Sequence, residues 1–281
     1  MTEGAPLARF IASHRPVLVL TGAGCSTDSG IPDYRDESGQ WRRRQPVTHQ
    51  EFLAAPVVRQ RYWARSMVGW PKFQHAAPNL AHRILADLEQ AGYVGCLVTQ
   101  NVDGLHQEAG QDKLIEIHGN IGQVVCMACG EQSARARLQQ RLEELNPRFR
   151  GLAAPLAPDG DADFLPEDLS GFAIPGCEHC GGVLKPDVVF FGDNIPRPRV
   201  AAAMAALEQA AALLVVGSSL MVYSGFRFCQ QAKALGKPIA VVNRGVTRAD
   251  HLLDLKLEHS CAEILAATSA ALTLTGPCQL C

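Results

Sequence analysis

The chain has 281 residues, of which 47% are hydrophobic, which is enough for one large domain or for one domain with an insert. Its formal net charge of −2 provides no basic field for nucleic acid, and no apolar run approaches the ~20 residues that span a bilayer. No secretory signal is recognisable, and ten cysteines in such a chain favour thiols and metal sites over disulfides. We therefore expect no nucleic-acid or membrane partner and a cytoplasmic protein of bacterial type, or a mitochondrial matrix protein if the chain is a mature eukaryotic form.

Hydrophobic periodicity predicts helices and strands that alternate along the chain. The predicted helices cover residues 1–15, 49–54, 57–68, 79–91, 133–145, 198–212, 225–235 and 261–270. The predicted strands cover 16–21, 93–99, 114–117, 188–191, 213–216 and 239–242. This alternation predicts an α/β fold, with a Rossmann-like open parallel sheet, helices on both faces, and a smaller inserted domain.

A glycine-rich segment follows the first predicted strand. Gly22 and Gly24 allow a tight turn that approaches a ligand closely, and residues 25–27 would open a helix whose free N–H groups face a phosphate. A full dinucleotide fingerprint needs a third glycine where this chain has Thr27, and an acidic residue about 20 positions later. The departure disfavours a conventional dehydrogenase, and a simple glycine-rich turn remains an alternative.

Other polar loops also come directly after predicted strands. They are TQNVDG after strand 93–99, HGN after 114–117, GSSL after 213–216 and NRG after 239–242. Because ligands of open parallel sheets bind at the carboxyl ends of the strands, we expect these loops to converge on one edge. His118 is a candidate general base there, since an ordinary histidine titrates near pH 6.5.

Four cysteines form two CxxC pairs within residues 120–186. Two such pairs complete a tetrahedral thiolate site, so Cys126, Cys129, Cys177 and Cys180 are predicted to hold one Zn²⁺. A closed four-cysteine site has no open position for water, so the metal is structural. A third pair, Cys278 and Cys281, is interpreted as part of a loose tail with only a weak capacity for metal binding or redox chemistry.

The motifs GAGCSTDSGIPDYR, TQNVDGLH and HG, followed by the two CxxC pairs, resemble one family, the sirtuins, which are NAD-dependent protein lysine deacylases. Tyr34 and the runs RQRYWARSMVGWP, KPDVVFFGD and GSSLMVYSGFRF are similar to the class II, sirtuin-4-like branch. The resemblance implies a Rossmann-like NAD-binding domain of residues 1–33, 79–119 and 187–281. It implies a small domain made from a helical module and cofactor loop, 34–78, and a zinc module, 120–186.

The resemblance also implies a reaction and its residues. The acyl-lysine amide oxygen attacks C1′ of the nicotinamide ribose, nicotinamide leaves, and the acyl group ends on ADP-ribose as 2′-O-acyl-ADP-ribose. His118, Asn101 and Asp103 are the implied catalytic residues, whereas His106 is structural. The implied contacts to NAD+ are Gly22, Ala23, Gly24, Asp33, Tyr34, Arg35, Gln100, Asn101, Asp103, Gly217, Ser218, Ser219, Asn243, Arg244, Gly245 and Cys261.

Substrate contacts are implied in the same way. The peptide of an acyl-lysine protein would add a strand against residues 189–192 (Val189, Phe190, Phe191 and Gly192) and 220–223, although Ser224 replaces a proline usual in class I. Tyr62 and Arg65 match a pair that binds an acyl carboxylate in the desuccinylating branch, and on a helix both face the same way. The alternative is a surface helix with an Arg that packs along it.

Two other enzymatic activities and one non-catalytic role remain as alternatives to deacylation. Protein mono-ADP-ribosyl transfer or lipoamide cleavage would use the same His118 site. A non-catalytic NAD sensor is a further alternative, although it would not need Asn101, Asp103 and His118 together.

Overall fold

The computed structural model describes residues 3–42, 45–152, 154–163, 169 and 171–274, so the Cys278 and Cys281 pair lies outside the described residues. The helices are α1 (Ala5–Ser13), α2 (His49–Ala54), α3 (Pro56–Phe73), α4 (Leu80–Gln90), α5 (Leu105–Glu108), α6 (Arg135–Leu145), α7 (Arg197–Gln209), α8 (Tyr223–Ala234) and α9 (Cys261–Leu274). The strands are β1 (Val17–Thr21), β2 (Val94–Thr99), β3 (Leu114–Glu116), β4 (Gly119–Cys126), β5 (Gln132–Ala134), β6 (Leu184–Val188), β7 (Ala212–Val216), β8 (Ile239–Val242) and β9 (Leu255–Leu257).

A six-stranded sheet in the order β3-β2-β1-β7-β8-β9 forms the centre of the larger part of the molecule, and its pairs are all parallel. Its middle strands, β1 and β7, are apolar apart from Thr21, because helices cover both faces. On one face, Leu7 of α1, Leu85 of α4 and Ile264 of α9 join a single buried cluster. On the other face, Leu207 of α7 and Phe228 of α8 do the same. The predicted Rossmann-like sheet is confirmed.

A second, three-stranded antiparallel sheet, β5-β4-β6, forms the smaller part. Helices α3 and α6 pack against it, with Trp63, Met67, Leu138 and Leu142 in its buried cluster. Helix α3 begins at Pro56, whose fixed φ suits the first turn of a helix. The sheet carries the first cysteine pair at the end of β4, and the second pair precedes β6.

Two predicted elements are wrong. Residues 25–27 do not open a regular helix but lie in two 3₁₀ turns, Ala23–Cys25 and Thr27–Ser29, and the second ends at Gly30 with φ 83°. Pro32 follows and cannot donate a backbone hydrogen bond to continue a helix. The strand predicted at 188–191 instead covers Leu184–Val188, where β6 pairs with β4.

Several elements were not predicted. They are α5, β4, β5, β9 and four 3₁₀ turns. Strand β4 has two glycines and little alternation of apolar and polar residues, and the others have three or four residues each. Within the described ranges, none of the helices combines the length and the apolar character that crossing a bilayer requires.

Candidate active site

One cavity of about 780 Å³ lies where the loops after β1, β2, β3, β7 and β8 meet. The site residues predicted from the sequence that line it are Gly22, Ala23, Gly24, Asp33, Tyr34, Arg35, Gln100, Asn101, Asp103, His118, Gly217, Ser218, Ser219, Asn243, Arg244, Cys261, Tyr62, Val189, Phe190, Phe191 and Gly192. Gly245 and Arg65 are not among the lining residues. The expected convergence of the strand-end loops therefore holds.

The loops after β1 and β7 touch through their backbones. Gly22 N donates to Val216 O at 3.1 Å, and Gly24 N donates to Gly217 O at 2.8 Å. Gly217 has φ 64°, and a Cβ placed on it would lie 2.6 Å from Gly24 C. This close approach leaves a side-chain-free surface on which a ligand can rest against main-chain atoms.

Asn101 and Asp103 are tied to the first loop through Ser26. Asn101 Nδ2 donates to Gly22 O at 3.1 Å and to Ser26 Oγ at 3.0 Å. Ser26 Oγ in turn donates to Asp103 Oδ2 at 2.7 Å. Burial raises the pKa of Asp103, while the bonds from Ser26 and from Leu105 N oppose that rise. These hydrogen bonds hold the Asn101 amide and the Asp103 carboxyl group in place at the wall of the cavity.

His118 is held by a main-chain carbonyl. Its Nδ1 lies 2.8 Å from Gln100 O, which can only accept, so Nδ1 carries the proton. Nε2 therefore presents its lone pair, and it accepts from Ser224 Oγ at 2.9 Å. Burial lowers the pKa of His118 below the usual histidine value, and the Gln100 bond partly offsets this. The imidazole is thus kept neutral and oriented as a proton acceptor.

The other histidine of the second loop, His106, is buried behind the cavity. Its Nε2 lies 2.9 Å from Thr21 Oγ1, and its ring contacts that of His82 with a centroid distance of 4.7 Å. Burial lowers its pKa well below that of a free histidine. These contacts join α5, which contains His106, to β1 and α4.

The segment of residues 33–42 contributes charged side chains to the wall of the cavity. Asp33 Oδ1 pairs with Arg42 Nε at 2.8 Å. Arg35 Nη1 donates to Gly39 O at 2.8 Å, and its guanidinium lies 4.0 Å from the Trp41 ring centroid. On the opposite side, Ser218 Oγ donates to Gln100 Oε1 at 2.7 Å.

Aromatic and aliphatic side chains form the end of the cavity next to the small sheet. Tyr62 is 4% exposed and contacts the rings of Phe52 and Phe190 at 5.4 and 5.3 Å between centroids. Arg65, one turn further along α3, instead donates from Nε to Ala162 O at 3.0 Å. Of the predicted carboxylate-binding pair, Tyr62 lines the cavity and Arg65 does not.

The two segments predicted to contact a peptide both line this cavity, and they lie on different elements. Residues 189–192 follow β6, and Phe191 forms a bridge with Thr48. Residues 220–222 precede α8, and residue 223 is its first residue. Ser26, Asp159 and Ser224 also line the cavity but are not among the site residues predicted from the sequence. The sequence indicates Ser26 only as part of a helix start and Ser224 only as a replacement for proline, and Asp159 lies in a loop without a motif.

The four paired cysteines meet as predicted. Their sulfur atoms lie within 4.8 Å of one another, with Cys126 to Cys180 at 3.5 Å and Cys129 to Cys177 at 3.8 Å. Four ligands at ~2.3 Å around a tetrahedral Zn²⁺ would be separated by ~3.8 Å, so the cluster fits this ion. It lies apart from the cavity-lining residues, as expected of a structural site.

Comparison with known proteins identifies similarity to the same family as the sequence motifs. The profile described as "Sir2 family" matches residues 22–224. An NAD-dependent protein deacetylase of Xanthomonas campestris is 56% identical over 94% of this chain and 90% of its own length. NAD-dependent protein deacetylase 2 of Bradyrhizobium diazoefficiens is 55% identical over 94% of this chain and 98% of its own length. The mitochondrial NAD-dependent protein lipoamidase sirtuin-4 of Bos taurus is 49% identical over 92% and 83%.

Solved structures of Sir2 proteins are similar to this chain over nearly its whole length. A Sir2 protein in complex with a p53 peptide and NAD+ superposes with a TM-score of 0.77 at 29% identity, covering 96% of this chain and 98% of the other. A Sir2 variant with a deacetylated p53 peptide and 3′-O-acetyl ADP-ribose gives a TM-score of 0.75 at 28% identity, covering 94% and 96%.

Proposed function

The chain belongs to the Sir2 family, and on this premise we propose that it is an NAD-dependent protein lysine deacylase. The reaction cleaves NAD+ to nicotinamide and passes the acyl group to ADP-ribose, which leaves free lysine and 2′-O-acyl-ADP-ribose. The observation that carries the proposal is His118, which is fixed by Gln100 O so that Nε2 is the proton acceptor within the cavity. Relatives named as deacetylases and a Sir2 complex with acetylated peptide support it.

Each part of the site has a task in this reaction. When bound, NAD+ supplies the electrophilic ribose carbon and the nicotinamide leaving group. The touching loops at Gly24 and Gly217 would hold the diphosphate against main-chain atoms. Asn101 and Asp103, fixed through Ser26, would orient the nicotinamide ribose and carboxamide. His118 Nε2 would take a proton from a ribose hydroxyl, for which a neutral imidazole is the right form.

The assignment of the remaining residues is part of the proposal. NAD+ contacts are proposed for Gly22, Ala23, Asp33, Tyr34, Arg35, Gln100, Ser218, Ser219, Asn243, Arg244, Gly245 and Cys261. The peptide would lie between residues 189–192 and 220–223. One structural Zn²⁺ per chain would bind the four cysteines, within a small domain built from residues 34–78 and 120–186. The proposed compartment is the bacterial cytosol, which the bacterial relatives support.

The test is a mass-spectrometric assay with an acetyl-lysine peptide and NAD+. We expect nicotinamide, deacetylated peptide and O-acetyl-ADP-ribose in equal amounts. His118→Ala should lower the rate by more than ~100-fold, since a positioned general base contributes about 10²–10⁴. His75→Ala is the matched control, because His75 is exposed and outside the cavity. Steady formation of deacetylated peptide and O-acetyl-ADP-ribose at the wild-type rate in His118→Ala would contradict the assigned role.

The same assay separates the alternatives. ADP-ribose attached to protein, without free O-acyl-ADP-ribose, would indicate mono-ADP-ribosyl transfer. A lipoyl-lysine peptide belongs in the panel, because the bovine relative is named a lipoamidase. NADH formation without nicotinamide would indicate a dehydrogenase, and binding of NAD+ without turnover would indicate a sensor.

A further inference from the structure

Arg227 lines the cavity without an acidic partner. It lies on α8, one turn after Tyr223 and Ser224, which line the cavity as well. The residue is half-buried, and its Nε is buried without a hydrogen-bond partner. Among the residues that the structure describes, no carboxylate pairs with its guanidinium. The cavity wall therefore holds a positive charge that a bound ligand can neutralise.

An aromatic ring holds this guanidinium in place. Its Cζ lies over the ring of Tyr223, 5.0 Å from the centroid. Contact with a ring leaves the N–H groups available, because they point outward in the plane of the guanidinium. Tyr223 is 56% exposed, so the pair lies at the open rim of the cavity. An anionic side chain of a protein substrate can reach this position from solvent.

Helix α8 also places Arg227 close to the proposed general base. Ser224 Oγ lies 2.9 Å from His118 Nε2. Arg227 follows Ser224 by three residues, so the two side chains share a helix face and are about 4.5 Å apart along the axis. An extended peptide advances by ~3.3 Å per residue. A peptide whose acyl-lysine reacts beside His118 would therefore bring a residue within about two positions of that lysine to Arg227.

The other arginines of the described cavity wall have different surroundings. Arg42 Nε pairs with Asp33 Oδ1 at 2.8 Å. Arg35 donates to a main-chain carbonyl and lies over an indole ring. Arg244 directly follows β8, in a loop that we propose to contact NAD+. Arg227 is thus the cavity-lining arginine that adjoins residues 220–223, one side of the proposed peptide cleft.

The acidic residue on the other side of the cleft is engaged locally. Asp193 directly follows residues 189–192, and its Oδ2 lies 3.1 Å from His49 Nδ1. Its Oδ1 accepts from Asn194 N at 2.7 Å. Both carboxylate oxygens of Asp193 thus have partners of their own, and Arg227 is left for a group that the substrate brings.

We propose that Arg227 selects protein substrates that carry an aspartate or glutamate within about two residues of the acyl-lysine, by binding that carboxylate at the rim of the cavity. The inference rests on the proposed deacylase function. A guanidinium can bind a carboxylate through two parallel hydrogen bonds. Because the Tyr223 ring already holds the guanidinium, little side-chain freedom is lost when the substrate binds.

The test compares peptides that differ only by glutamate or glutamine at one position. An acetyl-lysine peptide carries either residue at each of the two positions before and after the acetyl-lysine, and kcat/KM for nicotinamide release is measured with NAD+. We expect wild type to prefer glutamate by about three- to tenfold at one or more positions, since a partly exposed ion pair contributes modestly. Raising the salt concentration from about 0.05 to 0.5 M should reduce this preference, because salt screens exposed charges.

Variants show whether the contact is direct. Arg227→Gln should lower the glutamate-to-glutamine ratio to about one. Arg227→Lys keeps the charge without the planar fork and should retain only part of the ratio, and it decides the question if Arg227→Gln does not fold. Arg248→Gln is the matched control, because Arg248 donates to Met221 O at 3.2 Å and lies over the Phe226 ring at 4.5 Å, but does not line the cavity. It removes a nearby positive charge and should leave the ratio as in wild type.

Each other outcome counts against the inference. If wild type shows no preference at any position, or if Arg248→Gln removes the preference as completely as Arg227→Gln, the inference is wrong while the deacylase function stands. If Arg227→Gln slows every peptide equally, or raises the KM for NAD+ and leaves the peptide ratio unchanged, the arginine supports the fold or binds the cofactor, and the inference is wrong. If no acyl peptide releases nicotinamide, the proposed function fails and this inference fails with it.

Discussion

The contact between the loops after β1 and β7 makes Gly217→Ala a sensitive probe of the cavity. Gly217 has φ 64°, and the added Cβ would lie against Cys25 N, 2.6 Å from Gly24 C and 3.0 Å from Cys25 Cα. These are main-chain atoms of a 3₁₀ turn that is hydrogen-bonded to Gly217 O, so they cannot turn aside as a flexible side chain would. Overpacking of this kind costs about 1–3 kcal/mol, and we expect the upper end.

Gly236→Ala is the matched control. Gly236 has nearly the same backbone conformation, with φ 67°, but its added Cβ meets nothing within 4 Å. Both variants carry the left-handed penalty of about 1–2 kcal/mol. We therefore expect a loss of roughly 1–2 kcal/mol for Gly236→Ala and roughly 4–5 kcal/mol for Gly217→Ala. At about 2 °C per kcal/mol, Tm falls by about 2–4 °C and 8–10 °C.

Thermal unfolding and steady-state kinetics check this prediction. Gly217→Ala should also raise the KM for NAD+ by about tenfold or more, because the clash moves the surface proposed to hold the diphosphate. Gly236→Ala should leave that KM unchanged. Equal losses of Tm in the two variants would refute the clash, and an unchanged KM in Gly217→Ala would refute its place in the NAD+ site.

Three further predictions concern the base and the metal. Burial lowers the pKa of His118, so the acid limb of kcat/KM should lie below pH 6.5, and a limb above that pH would contradict the assignment. Ser224→Ala removes the hydrogen bond to Nε2 but leaves the Gln100 bond, so kcat/KM should fall only about three- to tenfold, against more than 100-fold for His118→Ala. Cys177→Ser should lose the bound zinc and lower Tm by more than ~10 °C, whereas Cys96→Ser, outside the cluster, keeps one zinc per chain by elemental analysis.

Much of the fold follows from local sequence. Strand β8 lies at the predicted residues, Ile239–Val242, because it is an all-apolar run preceded by Pro238. Strand β2, which is mostly apolar, begins one residue later than predicted. The cysteine spacing predicts the metal cluster, because two CxxC pairs supply the four thiolates of a tetrahedral site. The meeting of the strand-end loops at one cavity follows from the parallel sheet alone.

Other parts depend on contacts between distant segments and could not be predicted in this way. The run Val188–Phe191 has the composition of a strand, but only Val188 pairs with β4, and the aromatic residues line the cavity instead. Asp161 lies in a loop without periodicity, and only the fold shows that it pairs with Arg65. The partner of His118 at Ser224 is equally a product of tertiary structure.

The main-chain bond from His118 to Gln100 O also bears on how this enzyme can evolve. Every amino acid at position 100 would present the same carbonyl, so a substitution there changes the side chain that reaches Ser218 but not the group that orients the base. Cofactor contacts can therefore drift while the proton acceptor stays in place. Divergence at position 100 among relatives would not imply loss of activity.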